Sequence, residues 1–281
     1  MEHILVAGAT GYLGKYIAKN LVESGYQTTV LVRNSRKFHD FNIPVDHVLE
    51  AEVTNPDSLL RSCESIDVVI SSVGITKQSD GLSYMDVDYQ ANLNLLEQAR
   101  KSGVKKFIYV SVLNGEKLQN LKICEAKEKF AYELRNSGMD YCIIRPNGFF
   151  SDMSEFFTMA KKGRVYLFGD GSFKSNPIHG DDLAKVCIDA IESVETEIEV
   201  GGPETLSHQE IAEVAFEAAG KKPKISHIPE WVRAGSLTAL KLFLGPRKFG
   251  PIEFFMTVMA MDMVAPEYGT HRLKDYFNEL E

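Results

Sequence analysis

Several features that would settle the class of this 281-residue chain at once are scarce or missing. Only four cysteines occur (Cys63, Cys124, Cys142 and Cys187), widely scattered, with no CxxC pair and no metal-ligand spacing. That pattern argues against a disulfide framework, predicts no metal centre, and suits buried thiols in a reducing compartment. Positive charge is also short: 31 basic residues face 39 acidic ones, a formal net charge of −8. A chain with this balance lacks the dominant basic face that nucleic acid requires, although a local basic pocket for one small anion is still permitted. Long apolar runs are absent, since the late stretch Phe254 to Met261 is too short to span a bilayer and is bracketed by Glu253 and Asp262. No basic segment precedes an apolar core near Met1, so no secretory signal and a cytoplasmic location are expected.

What is there is rhythm. Ile4–Ala7 reads as a strand, followed by a helix from about Tyr12 to Ser24. Further strands are predicted at Thr28–Val32, Val45–Leu49, Asp67–Ser71, Lys106–Ser111 and Tyr141–Ile144, with helices at Tyr89–Lys101 and Cys124–Asn136 between them. Continuous apolar strands alternating with helices imply a parallel sheet covered on both faces, the doubly wound Rossmann type of α/β fold. Beyond Pro146 the segments shorten, with strands at Val165–Phe168 and Glu197–Val200 and a capping box, Ser207 to Glu210, opening a helix. Helical patterns dominate from Trp231 onward. The expected division is a nucleotide-binding core over residues 1–146 and a small, mostly helical substrate-binding lobe over 147–281, parts of which return to the core.

The strongest local signal is Gly8-Ala9-Thr10-Gly11-Tyr12-Leu13-Gly14, directly between the first strand and the first helix. Glycines there permit a tight turn and let backbone N–H groups approach a pyrophosphate, which the positive end of the helix then faces. Gly8, Thr10, Gly11, Tyr12, Leu13 and Gly14 are therefore expected to line a dinucleotide site. An NAD-selective site carries an acidic residue at the end of the second strand, gripping the ribose hydroxyls. This chain has Arg33 there, followed by Asn34 and then Arg36 and Lys37. A guanidinium pairs bidentately with a 2′-phosphate that a carboxylate would repel, so NADP(H) is expected in preference to NAD(H). By position, Glu52 and Val53 are expected near the adenine, and Ser72, Val73 and Gly74 along the ribose.

On a wheel advancing about 100° per residue, Ile123, Lys127, Phe130 and Leu134 share one stripe of their helix, while Lys122 and Lys129 fall away from it. Lys127 is thus a cation on a core-facing seam, where it needs a polar or anionic partner or a path for snorkelling to water. Ser111, at the end of the fifth strand, and a cofactor ribose are the candidates. His179 beside Asp181 and Asp182 reads as a helix cap rather than an acid–base pair.

Together, GATGYLG, Arg33, Ser111, Lys127, the Ile144-Arg145-Pro146-Asn147-Gly148-Phe149 segment and Pro177-Ile178-His179-Gly180-Asp181-Asp182-Leu183-Ala184 resemble the atypical short-chain dehydrogenase/reductase group, most closely its NmrA-like and isoflavone-reductase-like members. The resemblance covers about residues 1–220 and implies Pro146, Asn147 and Phe149 beside the nicotinamide, with Lys127 and Ser111 in catalysis. Ordinary members pair that lysine with a tyrosine four residues earlier, which relays a proton to the substrate carbonyl. Here that position is Ile123. The leading expectation is an NADPH-dependent oxidoreductase passing hydride to a small apolar or aromatic carbonyl, enone or quinone, with Phe149, Phe150, Phe156 and Phe157 either lining the substrate or packing the core. The alternative is a non-catalytic NADP(H)-sensing regulator or assembly factor, whose partner or membrane-edge contact would fall on the Met- and Phe-rich residues 243–265. A nucleotide-sugar epimerase-like enzyme is third, and its chemistry also calls for the missing tyrosine.

Overall fold

The apolar runs of the first half become the strands β1 (His3–Ala7), β2 (Gln27–Val32), β3 (His47–Glu50), β4 (Val68–Ser71), β5 (Lys106–Val110) and β6 (Asp140–Pro146). The structure, a computed structural model, describes residues 2–75 and 81–280, the side chains of residues 246 and 247 excepted. With a later strand, β9 (Glu197–Val200), these make a seven-stranded sheet in the order β3-β2-β1-β4-β5-β6-β9. Every adjacent pair from β3 to β6 runs parallel. The order reverses at β1 and β4, which is where ligands of doubly wound sheets bind. Ile4 to Ala7 and Val68 to Ile70 are almost fully buried, as expected of strands covered on both faces.

The helices of the first half are α1 (Tyr12–Glu23), α2 (Ser35–His39), α3 (Asn92–Lys101) and α4 (Lys122–Arg135). The second half adds α5 (Phe150–Lys161), β7 (Val165–Phe168), β8 (Lys174–Ser175), α6 (Gly180–Glu192), β9 (Glu197–Val200), β10 (Leu206–Ser207), α7 (His208–Ala218), β11 (Ile225–Ile228), α8 (Glu230–Phe243), α9 (Pro246–Val258) and α10 (Leu273–Glu279). The doubly wound parallel sheet and the helical C-terminal region are as the sequence pattern predicts. Three details differ. The basic run after β2 is not an open turn: Asn34 caps α2, its Oδ1 accepting from Lys37 N–H at 3.3 Å. The predicted helix at Tyr89–Lys101 begins with a wider π-helical turn, Met85–Ala91. Three short strands, β8, β10 and β11, carry too few residues for any periodicity to show.

The chain divides into two compact units, one of residues 1–145 with 183–198, the other of residues 146–182 with 199–281. In the first, Arg145 is only 3% exposed. Its guanidinium grips Glu128 of α4 bidentately, at 2.6 and 2.9 Å, and its Nε reaches Glu197 at 3.0 Å. Lys106 likewise turns its ammonium onto the backbone carbonyls of Ala190, Ile191 and Ser193, the end of α6, which a cation stabilises.

In the second unit Phe150, Phe156 and Phe157 are at most 3% exposed and pack with Phe216 and Phe277. They are core, so the reading of these three as substrate lining is set aside. His179 accepts from Asp181 N–H through Nδ1 at 3.2 Å, at the start of α6, and stacks on His271 with ring centroids 4.2 Å apart. The predicted capping box is present, Ser207 Oγ accepting from Glu210 N–H while Glu210 accepts from Ser207.

Two outcomes follow. Glu128→Gln leaves a buried guanidinium without its bidentate partner, which costs about 3 kcal/mol and lowers Tm in a thermal scan by roughly 6–12 °C; an unchanged Tm would mean that Glu197 and Glu116 suffice to compensate Arg145. His208 is 2% exposed, and burial pulls its pKa down to about 4, with Asp262 opposing only weakly. The unfolded chain, with an ordinary histidine near 6.5, therefore takes up this proton first. The stability due to neutral His208 is complete above pH of about 6.5 and is lost as pH falls towards 4. Against wild type, His208→Gln is expected to flatten that part of the acid limb; parallel curves for the two proteins would refute the assignment.

Candidate functional site

The site is built where β1 and β4 end. Gly8 takes φ +87°, and a Cβ on it would stand 2.8 Å from Ser72 Oγ and 3.1 Å from the Ser72 carbonyl. Ser72 is held against β1 by two bonds to the Ala7 carbonyl, from its N–H at 3.0 Å and its Oγ at 3.1 Å. Gly11 donates to the Gly8 carbonyl at 2.9 Å, closing the turn. At Gly14 a Cβ would lie 2.2 Å from the Gly8 carbonyl, so α1 can pack directly on the turn only with glycine there. Gly11 is the N-cap of α1; it supplies no side-chain acceptor, and the first helical turn holds no acid. The positive end of α1 is left for an external anion.

Around this turn lies a cleft of about 230 Å³, entirely within the first unit. Of the expected cofactor residues, Gly8, Thr10, Gly11, Arg33, Glu52, Val53, Ser72, Val73 and Gly74 line it. Lys37 lines it too, placing a second cation beside Arg33. Tyr12, Leu13, Gly14, Asn34, Arg36, Ser111 and Lys127 are not among the lining residues. Leu13 and Gly14 are buried in α1, the Asn34 side chain is taken by its cap, and Arg36 is exposed. The Glu52 carboxylate accepts from Thr54 N–H and Oγ–H, at 3.4 and 3.1 Å, so its charge is turned into its own loop.

The walls are fixed by side chains that the sequence reading did not single out. Asn92, fully buried, accepts from Ser71 Oγ at 2.6 Å and donates to the carbonyls of Val73, Val87 and Asp88. It thereby ties the end of β4 to the π-helical turn and satisfies carbonyls that the wider turn leaves over. Asn94 donates to the Val53 carbonyl at 3.1 Å and pins the adjacent wall.

Lys127 lies on α4 with its side chain 12% exposed, and its Nζ stands 3.0 Å from Oδ1 of Asp88, which is fully buried. The other Asp88 oxygen accepts from Ile75 N–H at 3.2 Å. Both groups crowd the inner side of the cleft wall: a Cβ on Gly74 would lie 2.7 Å from Asp88 Oδ1 and 3.0 Å from Lys127 Nζ. Burial pulls the Lys127 ammonium down, but Tyr109 and Asp88 outweigh it and hold its pKa above the ordinary lysine value. For Asp88, burial holds the carboxyl pKa above its ordinary value, the Lys127 charge and the Ile75 N–H opposing this only in part. The anionic partner that Lys127 required is thus Asp88, a residue the sequence reading passed over.

Ser111 is 6% exposed, and its Oγ has no hydrogen-bond partner among the described residues. The Tyr109 hydroxyl is likewise unpartnered, but the residue is fully buried, its ring 4.6 Å from that of Phe130. Ile123, where a catalytic tyrosine was sought, is 6% exposed and packed. Pro146, Asn147 and Phe149 belong to the second unit. There the Asn147 amide donates to Asn176 Oδ1 and the Met263 carbonyl and accepts from Gly148 N–H, so its polar atoms are occupied by the framework.

Residues 8–194 match a family described as NAD(P)H-binding. A chloroplastic divinyl chlorophyllide a 8-vinyl-reductase of Zea mays is 30% identical over 95% of this chain and 74% of its own length. A photosystem II assembly factor, Ycf39 of Guillardia theta, is 26% identical over 80% of this chain and 73% of its own. Among solved structures, the NADPH-dependent quinone oxidoreductase of Escherichia coli in complex with NADPH superposes with a TM-score of 0.73 at 17% identity, covering 99% of each chain, a likeness of fold.

The glycine geometry carries a test. Gly14→Ala forces the Gly8 carbonyl aside, at about 1–3 kcal/mol for the overpacking, and is expected to weaken NADPH binding in calorimetry by at least about tenfold, the equivalent of one lost hydrogen bond to a charged group. Gly235→Ala, at a helical position with nothing within 4 Å, is the control and leaves binding unchanged. Equal affinity in both variants would refute the role of the turn.

Proposed function

The chain belongs to the NAD(P)H-binding family, and on that premise we propose that it is an NmrA-like, atypical short-chain dehydrogenase/reductase: an NADPH-dependent oxidoreductase acting on a small apolar or aromatic substrate with a conjugated carbonyl, enone or quinone group. The observation that carries this reading is the buried Asp88–Lys127 pair at Gly74. An ammonium held charged behind Gly74, in the wall of the dinucleotide cleft, costs desolvation, and a protein that only folded would place an apolar side chain there.

The residues fit the cofactor. Gly8 and Gly14 open a cradle that side chains would fill, the end of α1 faces outward without a cap, and Ser111 keeps a buried hydroxyl without a partner. Gly8, Thr10, Gly11 and the end of α1 would hold the pyrophosphate. Arg33 and Lys37 supply paired cations for a 2′-phosphate, which supports NADP(H) over NAD(H). When bound, the nicotinamide supplies hydride. Lys127, charged and oriented by Asp88, presents an N–H to an oxygen on which negative charge grows as the substrate is reduced. Ser111 Oγ offers a second hydrogen bond to the ribose or the substrate.

A second reading is supported by Ile123. Without the usual proton relay, the same cleft serves a regulator or assembly factor that senses NADP(H); the likeness to the photosystem II assembly factor Ycf39 supports the assembly role.

One measurement tests the cofactor preference and a second decides between the two readings. Arg33→Ala is expected to weaken NADPH about ten- to a hundredfold, the worth of one charge-assisted contact, while leaving NADH unchanged; the same loss for both cofactors would refute the 2′-phosphate assignment. On a panel of quinones, enones and aldehydes, turnover read from loss of the reduced nicotinamide absorbance is expected to fall at least about a hundredfold in Lys127→Met, with NADPH still stabilising the variant. No turnover by the wild type, despite tight NADPH binding, would set the oxidoreductase aside in favour of the sensor.

A further inference from the structure

Of the Met- and Phe-rich residues 243–265, Met256, Met259 and Met263 are not exposed apolar surface, being at most 8% exposed, whereas Phe243 is exposed. The exposed apolar surface lies just before these methionines, on α8, which contributes no buried residue at all. Trp231, Leu242 and Phe243 are 76%, 80% and 85% exposed. Trp231, Ala234, Thr238 and Leu242 recur at three- and four-residue steps and share one outward stripe, while Phe243, the last residue of α8, is exposed about 100° further round the helix. Scattered surface apolar residues need no explanation, but a helix presenting tryptophan, leucine and phenylalanine together does.

Charge narrows the occupant. From Trp231 to Ile252 the sequence contains Arg233, Lys241, Arg247 and Lys248 and not one Asp or Glu, in a chain of net charge −8. Arg233 is engaged by Glu230 and the Met256 carbonyl. Lys241 and Lys248 are exposed and make no ion pair among the described residues. A second copy of the chain is a poor match, because a two-fold contact through this face sets its lysines against their own counterparts. No helix among the described residues is long and apolar enough to cross a membrane. We propose that α8 and the following basic segment dock this protein onto an anionic lipid surface, the apolar stripe of the helix lying in the plane of the headgroups and the lysines contacting the lipid phosphates. The inference stands apart from the reading of the nucleotide cleft.

Trp231 is the only tryptophan of the chain, so its fluorescence reports on this face directly. The full-length protein is titrated with phosphatidylcholine vesicles, with and without phosphatidylglycerol, and binding is scored in parallel by flotation. The expected result is a blue shift of Trp231 emission and co-flotation with the phosphatidylglycerol vesicles only, reversed by salt. Lys241→Gln and Lys248→Gln are each expected to lower partitioning about fivefold. Leu242→Glu combined with Phe243→Glu is expected to abolish it, while thermal stabilisation by NADPH, which reports an intact fold, stays as in wild type. Unchanged Trp231 emission with both vesicles would overturn the proposal, as would vesicle binding that survives the Leu242/Phe243 change. A blue shift that grows with protein concentration without lipid, accompanied by a doubled mass in light scattering, would overturn it in favour of self-association.

Discussion

The approach of Gly8 to Ser72 is the constraint from which the cleft is made. With φ +87° and only 2.8 Å between an added Cβ and Ser72 Oγ, the end of β1 presses on the end of β4 at the point where the strand order reverses. Because Gly14 then lets α1 sit on the same turn, strand, turn and helix meet with no side chain between them. An N-cap serine or aspartate in place of Gly11 would stabilise α1 by a few tenths of a kcal/mol. The chain forgoes that and leaves the amide end of the helix uncapped by any side chain. Local stability is given up where an anion can supply it, as expected of a binding site rather than a connecting turn.

The same logic extends to the far wall. Placing Lys127 and Asp88 together out of water is expensive, and their attraction repays it only if the remaining polar atoms are satisfied. The π-helical turn at Met85–Ala91 supplies part of that: it brings Asp88 to Lys127 and to the Ile75 N–H, while Asn92 collects the carbonyls of Val87 and Asp88. A regular helix entering α3 would present residue 88 in a different register. The irregularity and the ion pair are therefore parts of one arrangement, both ending at Gly74, where the wall is too crowded for a Cβ.

This explains what was legible in the sequence and what was not. The sheet and its helices were legible because burial on both faces writes continuous apolar runs, and because glycine between a strand and a helix has few uses. The lysine stripe on α4 was legible as a conflict: Ile123, Phe130 and Leu134 are at most 6% exposed, and a cation among them demanded a partner. The partner itself was not, since Asp88 lies 39 residues away and reaches Lys127 only through a π-helical turn that no hydrophobic period announces. Glu128 was hidden for a similar reason, its charge answered by Arg145, 17 residues on, across the edge of the sheet. Phe150, Phe156 and Phe157 could not be sorted between core and pocket, because the same residue type serves both and only the packing against Phe216 and Phe277 separates them. The exposed face of α8 reads in sequence like any amphipathic helix; which side it turns to water is decided by tertiary contacts alone.

The missing tyrosine bears on how the proposed reduction would be balanced. Tyr109 cannot stand in for it, being fully buried with its ring edge-on to Phe130. Lys127 is a poor proton source as well: were its ammonium to give up a proton, the Asp88 carboxylate, 3.0 Å away, would be left buried and uncompensated. An ammonium that is hard to deprotonate is better suited to stabilising a growing negative charge than to delivering a proton. On the proposed reading, then, the pair acts by its field, and the proton that completes the reduction arrives from solvent. This favours substrates whose reduced form is a delocalised anion, such as a quinone or a conjugated enone, over an isolated aldehyde whose alkoxide needs its proton at once.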